Sequence, residues 1–445
     1  GQRLDGYRVF WSEHLPELIK KREITDILLA LPSINRKKRR QIVDQIRAFK
    51  VHVQTLPDMK AIIAGKVSFS DIRELEIEDL LGREPVRPNE LLFGRTIVGK
   101  TVLVTGAGGS IGGELCRQIA KSGAHRLILL DLSEYSLYQI EKELRELLVT
   151  QSKTKLELIP ALGSVVDTVR LREIFSLWQP DTVFHAAAYK HVPLVEANPV
   201  EGIRNNILGT QTLAAAAEDA GVSDFILIST DKAVRPTNVM GASKRAAEQV
   251  IQNFAEKNGS TRFSMVRFGN VLGSSGSVVP LFRNQIEQGG PITLTDRNVT
   301  RYFMTIPEAA QLVIQAAGMA KGGEVFVLDM GKSVRILDLA ETMVRLSGLT
   351  VRDDSNPEGD IEIVEVGLRA GEKLYEELII GNDPQPTQHA RIMKAHETYI
   401  AADSLNELIV SLIDCRDPRT AVTLLKSLVP EFVHERDNVD IEKAS

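Results

Sequence analysis

The chain runs to 445 residues, 43% of them hydrophobic and 25% charged, the composition of a globular protein with material for two or three cores. Its formal charge of −5 sets 59 acidic against 54 basic residues, so neither nucleic acid nor an anionic membrane surface is an expected partner. Two cysteines, Cys116 and Cys415, make neither a disulfide framework nor a metal cluster and suit a reducing compartment; no metal site is expected.

No run of about 18 apolar residues is present, so the chain itself is not expected to contact a membrane, and no signal peptide is expected within it. The opening GQRLDGYRVF reads as the middle of a longer, truncated protein. Residues 1–95 form a first small α/β domain with its linker. In it DILLALPS (26–33) reads as a buried strand ending at Pro32, and RKKRRQIVDQIRAF as a basic amphipathic helix whose run at 36–40 is a solvated face. VHVQTLP reads as another strand, and LLGREPVRPNELL (80–92) as the linker. Lacking a glycine-rich phosphate loop, this domain is expected to be structural or regulatory.

From 96 to 270 short apolar strands alternate with helices: TVLVTG, RLILLD, LELIPALG, TVFHAAA, DFILIST and FSMVRFGN. Continuous apolar runs suit a parallel sheet covered on both faces, hence a doubly wound α/β fold of the Rossmann type. Residues 271–400 read as a smaller substrate lobe, with loops at 270–305 and 350–390 around helices near 307–320 and 335–348. Residues 401–445 read as a helical tail that turns polar.

KTVLVTGAGGSIGGELCRQIA places Gly106, Gly109 and Gly112 between a strand and a helix. One glycine makes the tight turn, one admits a pyrophosphate to the backbone, and one lets helix and strand pack closely. The helix start offers unpaired N–H groups to the phosphates. Asp131 ends the next strand, where a carboxylate accepts from both ribose hydroxyls and repels a 2′-phosphate; with no cation before Lys142, NAD is favoured over NADP.

Together TGAGGSIG, HAAAYKHVP, NNILGT, STDK, the MxxxK helix and RFGNVLGSSGSVVP resemble the extended short-chain dehydrogenase/reductases. Within them, the chain is similar to the long, membrane-anchored bacterial UDP-N-acetylglucosamine 4,6-dehydratases of polysaccharide and O-antigen biosynthesis. The likeness covers roughly 95–400, and residues 6–95 resemble the degenerate nucleotide-binding-like domain that precedes the catalytic one. It implies a cytoplasmic enzyme whose whole form sits on the inner membrane's cytoplasmic face. It also implies oxidation of UDP-N-acetylglucosamine at C4 by NAD, loss of water across C5 and C6, and hydride return to C6, with C5 configuration retained.

The resemblance assigns roles by position. Thr230 holds the C4 oxygen, Asp231 protonates the departing C6 hydroxyl, and Lys232 takes the C5 proton, which requires a neutral amine. Lys244 holds the nicotinamide ribose, while Met240 stands where the superfamily has a Tyr. Ser110, Ile111, Ser133, Ala186, Ala187 and Asn206 join the glycines and Asp131 around the cofactor, with His185 beside the nicotinamide. Lys190 and His191 face the hexose. Asn270, Arg301, Arg369 and Glu372 contact the nucleotide, Arg suiting a diphosphate by its two-pronged fork, and Ser274 joins the substrate-binding residues. A thioether cannot take the C4 hydroxyl proton; a water on Thr230, Asp231 and Lys232 are the candidates. Rival readings are a 4-epimerase, which needs the missing Tyr, a C5-inverting dehydratase, and an inactive NAD-binding scaffold. A homodimer or higher oligomer is expected through apolar stripes on helices 205–220 and 241–257.

Overall fold

Seven runs rich in Val, Ile, Leu and Phe become parallel strands. They are Thr101–Thr105 (β1), Arg126–Asp131 (β2), Glu157–Leu162 (β3), Thr182–His185 (β4), Asp224–Ile228 (β5), Arg262–Arg267 (β6) and Val325–Leu328 (β7). Gln385–Pro386 (β8) and Ile392–Ala395 (β9) add an antiparallel hairpin on β7, so the sheet reads β8-β9-β7-β6-β5-β4-β1-β2-β3. All residues of β1 and β4 are buried, as continuous apolar runs in a two-sided parallel sheet must be. The structure, a computed structural model, describes residues 2–31, 38, 41, 42, 45, 49, 51–56, 73, 74, 86, 88–150, 155–257, 259–378, 384–395, 397 and 399–434.

Two compact units divide the chain. The larger, Val86–Ser275 with Met304–Lys332 and Leu368–Ser445, holds the nine-stranded sheet. Helices Ser110–Lys121, Glu134–Thr150 and Ile306–Met319 pack as one set; Thr168–Trp178, Gly209–Asp219 and Val239–Glu256 form a second. Right-handed crossovers put one set on each face. Strands and helices from beyond residue 270 thus extend the sheet and its cover.

The smaller unit comprises Gly1–Pro85, Gly276–Phe303 and Ser333–Gly367. Its N-terminal part pairs Asp26–Leu29 parallel to His52–Thr55, itself antiparallel to Arg73–Glu74. The expected strand at 26–33 therefore ends at Leu29; Pro32 lies outside the described residues, as does the basic run 36–40 except Lys38. Within the expected linker, 80–85 and 87 are also outside them, while its last residues open helix Glu90–Arg95, whose N-terminal amides Asn89 Oδ1 caps. The stretch 270–305, expected as loop, holds helix Val278–Glu287, with Val279, Phe282 and Ile286 buried along one face. The glycines and serines just before it hide that short apolar stripe. The expected helices near 307–320 and 335–348 appear as Ile306–Met319 and Ile336–Leu346.

Helix Val239–Glu256 is buried on almost every side, including Lys244, Arg245, Glu248, Gln249 and Asn253. Its apolar residues pack within the chain: Leu405, Ile409, Leu425, Leu428 and Phe432 share a core with Val239, Ala242, Ala246 and Val250. Helices Ala402–Asp414 and Pro418–Leu428 carry most of this cover. Polar clasps pin it, with Gln249 Nε2 donating to the Leu428 carbonyl (2.8 Å) and Arg245 Nε to Glu431 Oε1 (2.9 Å).

Candidate active site

The carboxyl ends of β1, β4, β5 and β6 gather at one rim of the sheet, where open α/β folds place ligands. After β1 the chain turns at Gly106, φ +64°, and a Cβ there would stand 2.8 Å from the Ala187 amide nitrogen. At Gly112 a Cβ would fall 2.0 Å from the Gly106 carbonyl oxygen, so that position admits only glycine. Gly109 begins helix Ser110–Lys121 with no side chain capping it, which leaves its first amides for a ligand. Ser110 and Ile111 form the first turn, and Ser110 Oγ accepts from the Ser275 amide at 3.3 Å, beside buried Ser274.

Asp131 closes this turn. One carboxylate oxygen accepts from the Gly108 amide (2.9 Å), the other from the Ser133 amide (2.8 Å), and each keeps acceptor capacity. Gly108 was not singled out in the sequence, although a Cβ there would stand 2.4 Å from Ser136 Cβ.

His185 is a post rather than an acid or base. Its Nδ1 meets Thr105 Oγ1 at 2.8 Å and its Nε2 meets Thr210 Oγ1 at 3.0 Å. Burial, aided by the Lys244 charge, pushes its pKa down to about 3, so the ring is neutral. Thr105 Oγ1 also accepts from the Ala187 amide at 3.2 Å, which sets the Ala186–Ala187 backbone against the glycine turn. Asn206, in a π-helical turn at Arg204–Leu208, accepts from the Tyr189 amide (2.8 Å) and donates to the Tyr189 carbonyl (3.0 Å) and Ser243 Oγ (2.9 Å). It thereby clasps the loop bearing Lys190 and His191 to helix Val239–Glu256. Lys190 is exposed and His191 half-buried on that loop.

At the end of β5 the chain makes a tight turn, Asp231–Ala233. Thr230 Oγ1 donates to Asp231 Oδ1 at 2.9 Å, and Lys232 Nζ donates to the same oxygen at 3.0 Å and to Asn270 Oδ1 at 3.2 Å. Asp231 is 1% exposed, and its Oδ2 is buried without a hydrogen-bond partner. Four expected residues, Thr230, Asp231, Lys232 and Asn270, thus meet in one cluster. A fifth member went unseen in the sequence: Glu376 Oε1 stands 3.6 Å from Lys232 Nζ.

A buried charge network braces the cluster from behind. Ser229 Oγ donates to Glu248 Oε1 at 2.6 Å, Arg267 Nε reaches the same oxygen at 2.6 Å, and Arg267 also pairs with Glu397. Burial alone would raise the Glu248 carboxyl, but the Arg267 and Arg245 guanidiniums outweigh it and hold it below the ordinary range. Lys244, one turn from Met240, is buried, and desolvation pushes it down to about 8 against the opposing pull of Glu248. Met240 is 3% exposed and sits in the apolar core.

Arg369 and Glu372 share a turn after Gly367, with the Glu372 amide donating to the Arg369 carbonyl at 2.9 Å. Arg301 belongs to the smaller unit, where it is buried on Thr300–Arg301 and donates to the Thr300 carbonyl at 2.8 Å.

The strand order β3-β2-β1-β4-β5-β6, the glycine turn after β1 and the acidic residue after β2 define a doubly wound fold of the dinucleotide-binding class. More specifically, the chain belongs to the polysaccharide biosynthesis protein family, whose sequence pattern matches residues 102–397. It is 47% identical over 416 residues to the capsular polysaccharide biosynthesis protein CapD of Staphylococcus aureus; the match takes in 93% of this chain, which spans 66% of that relative's length. It is 34% identical to a UDP-N-acetylglucosamine 4,6-dehydratase (inverting) of Campylobacter jejuni, over 65% of this chain and 80% of that protein when aligned across 293 residues. A UDP-glucose 4-epimerase of Rickettsia rickettsii is also 34% identical, over 63% of this chain and 78% of that one. Among solved structures, Pen from Bacillus thuringiensis matches with a TM-score of 0.57 and 35% identity over 64% of this chain and 85% of its own. DesIV, a dTDP-glucose 4,6-dehydratase of Streptomyces venezuelae, shares the fold with a TM-score of 0.52 at 22% identity, over 63% of this chain and 88% of its own. Among the described residues, no helix is long and apolar enough to cross a membrane.

Proposed function

We propose that the chain is an NAD-dependent UDP-N-acetylglucosamine 4,6-dehydratase that retains configuration at C5 and serves surface-polysaccharide synthesis. The observation that carries this reading is the Thr230–Asp231–Lys232–Asn270 cluster, with its one buried, unpartnered carboxylate oxygen, beside a position 240 that holds no ionisable group. A redox-only 4-epimerase has no use for an acid and a base at C5 and C6. It depends instead on a proton acceptor at C4, and Met240 is not one.

The site's residues fit NAD: glycines at contacts no Cβ tolerates, free amides at a helix start, and a carboxylate at the end of β2. Gly106, Gly109, Gly112 and the first turn of helix Ser110–Lys121 would hold its pyrophosphate, Asp131 its adenosine ribose and Lys244 its nicotinamide ribose. When bound, NAD supplies the acceptor for a hydride from C4 and the donor that returns it to C6.

The chain's own residues handle the protons. A ketone at C4 acidifies the C5 hydrogen, and Lys232, as neutral amine, takes that proton. Asp231, whose unpartnered Oδ2 is the group available for a substrate hydroxyl, gives its proton to the C6 oxygen, which leaves as water. Thr230 orients Asp231 and offers a hydrogen bond at C4. Arg301, Arg369 and Glu372 are assigned to the UDP portion, and Lys190, His191 and Ser274 to the sugar and the adjoining rim. The reading keeps the working enzyme in the cytoplasm, with the whole protein at the membrane's inner face.

The test is incubation of the NAD-loaded chain with UDP-N-acetylglucosamine, followed by proton NMR. A 4-keto-6-deoxy product with the gluco arrangement at C5 is expected. An inverted C5 would assign the inverting reaction, UDP-N-acetylgalactosamine would assign epimerisation, and unchanged substrate would leave an inactive NAD-binding scaffold.

A further inference from the structure

The segment after Gly367 is strapped to the chain that follows the catalytic turn. Thr237 Oγ1 and Asn238 Nδ2 both donate to the Gly371 carbonyl (2.9 and 3.0 Å), and Lys373 Nζ donates to the Val234 carbonyl (2.9 Å). Arg235 pairs with Glu377 at 2.7 Å, and a Cβ on Gly371 would stand 2.6 Å from Asn238 Cβ, so the strap lies close. Its outcome is the placement of Glu376, whose side chain is 4% exposed and whose Oε2 is buried without a hydrogen-bond partner. A buried carboxylate left half-satisfied costs stability, so its position calls for a functional reason.

We propose that Glu376 is the positioning residue of Lys232: it orients the amine and stabilises the ammonium that forms as Lys232 takes the substrate's C5 proton. The proposal rests on the dehydratase reading. In that step the C5–H bond breaks, its proton bonds to the Lys232 nitrogen, and its electron pair becomes the C5–C6 π bond. The C6–O bond breaks, and the oxygen leaves as water with the proton of Asp231. The protonated acid and neutral amine thus become a carboxylate and an ammonium, a new cation at a nitrogen that Glu376 faces from 3.6 Å. Lys232 Nζ ion-pairs with Asp231 and Glu376 and donates to neutral Asn270. Arg235 and Lys373, on the neighbouring turns, are engaged by Glu377 and the Val234 carbonyl. Because Arg369 and Glu372 lie on the same strap, nucleotide binding and the readiness of the base share one segment.

The test uses the NAD-loaded full chain and the isosteric Glu376→Gln variant, with retained NAD as the check on folding. Competitive acetylation with acetic anhydride across a pH series, read at Lys232 by mass spectrometry, reports when the amine becomes neutral. Removing a carboxylate this close disfavours the cation, so the Lys232 titration moves to lower pH by about 1–3 units. In turnover, the acid limb of the kcat–pH profile follows it down, plateau kcat falls at least about tenfold, and KM stays within about twofold. Glu376→Asp restores the charge at a shorter reach and moves both readouts back toward wild type. An unmoved Lys232 titration, or an unchanged kcat and pH profile in Glu376→Gln, overturns the proposal. A wild-type chain that forms no 4-keto product refutes the dehydratase reading instead, and labelling alone then decides whether Glu376 governs the Lys232 amine.

Discussion

Gly241 is where the Asp231–Ala233 turn and the long helix touch. It is the third residue of Val239–Glu256, and its amide donates to Asn238 Oδ1 at 2.8 Å. In Gly241→Ala the new Cβ would lie 2.2 Å from the Lys232 carbonyl oxygen and 3.0 Å from its carbon. Carbon–oxygen approaches in proteins begin near about 3.3 Å, so helix and turn must part by about 1 Å. Two effects on stability oppose each other. Alanine favours a helix over glycine by about 1 kcal/mol, whereas forcing a methyl into a packed backbone contact costs about 1–3 kcal/mol. The clash prevails because a main-chain carbonyl, unlike a side-chain tip, cannot rotate aside, but the net loss is small. Turnover should suffer far more, since a displacement of about 1 Å at a reacting group costs about 100-fold. Initial rates of 4-keto sugar formation by NMR, beside the NAD content of the purified protein, give the assay. The expected result is a kcat lowered about 100-fold with NAD retained, because the atoms nearest the new methyl belong to Lys232 and Asn238 and not to the glycine turn after β1. A soluble, NAD-bearing Gly241→Ala enzyme with wild-type kcat would refute the claim that this contact sets Lys232.

Asp231→Asn and Lys232→Met should each lower kcat by about 10²–10⁴-fold with NAD content unchanged, as measured by rate assays and cofactor extraction. Met240→Ala should leave turnover within a few-fold yet cost about 2–5 kcal/mol in denaturant unfolding, since this side chain fills the core. Asp131→Ala should weaken NAD and narrow its advantage over NADP in calorimetric titration; wild type preferring NADP would contradict the role given to Asp131. Lys244 is held at about 8 in the fold against 10.5 in the open chain, so between those values the unfolded state binds the extra proton and the lysine's contribution to stability rises with pH. Lys244→Met should lose that rise, read as the difference between the two proteins' unfolding free energies at pH 8 and 10.

Features built from consecutive residues could be read before the fold was in view. The glycine turn shows itself because each of its tasks demands glycine within seven positions, Gly106 to Gly112. The strands show themselves because a two-sided sheet leaves no polar alternation. Thr230, Asp231 and Lys232 meet because they are neighbours in one turn at a strand's end. Glu376 escaped notice because it lies far along the chain from Lys232, and the strap that fastens 371–377 to 234–238 brings it there. Glu248 and Arg267 escaped because charged residues in a helix or strand ordinarily signal a solvated face; here each neutralises the other in the interior. His185 shows the converse, since its two threonine partners are set by strand register and helix packing.

The cover over helix Val239–Glu256 also bears on dilution. Where a helix leans on a second molecule, its support weakens as protein concentration falls, because association is bimolecular. Here Leu405, Ile409, Leu425 and Phe432 arrive on the same polypeptide, so the cover's local concentration is fixed by tethering rather than by how much protein is present. The scaffold that carries Lys244 and braces Lys232 therefore keeps its packing at nanomolar protein. Residues 399–434 consequently belong to the core of the larger unit rather than to a removable tail.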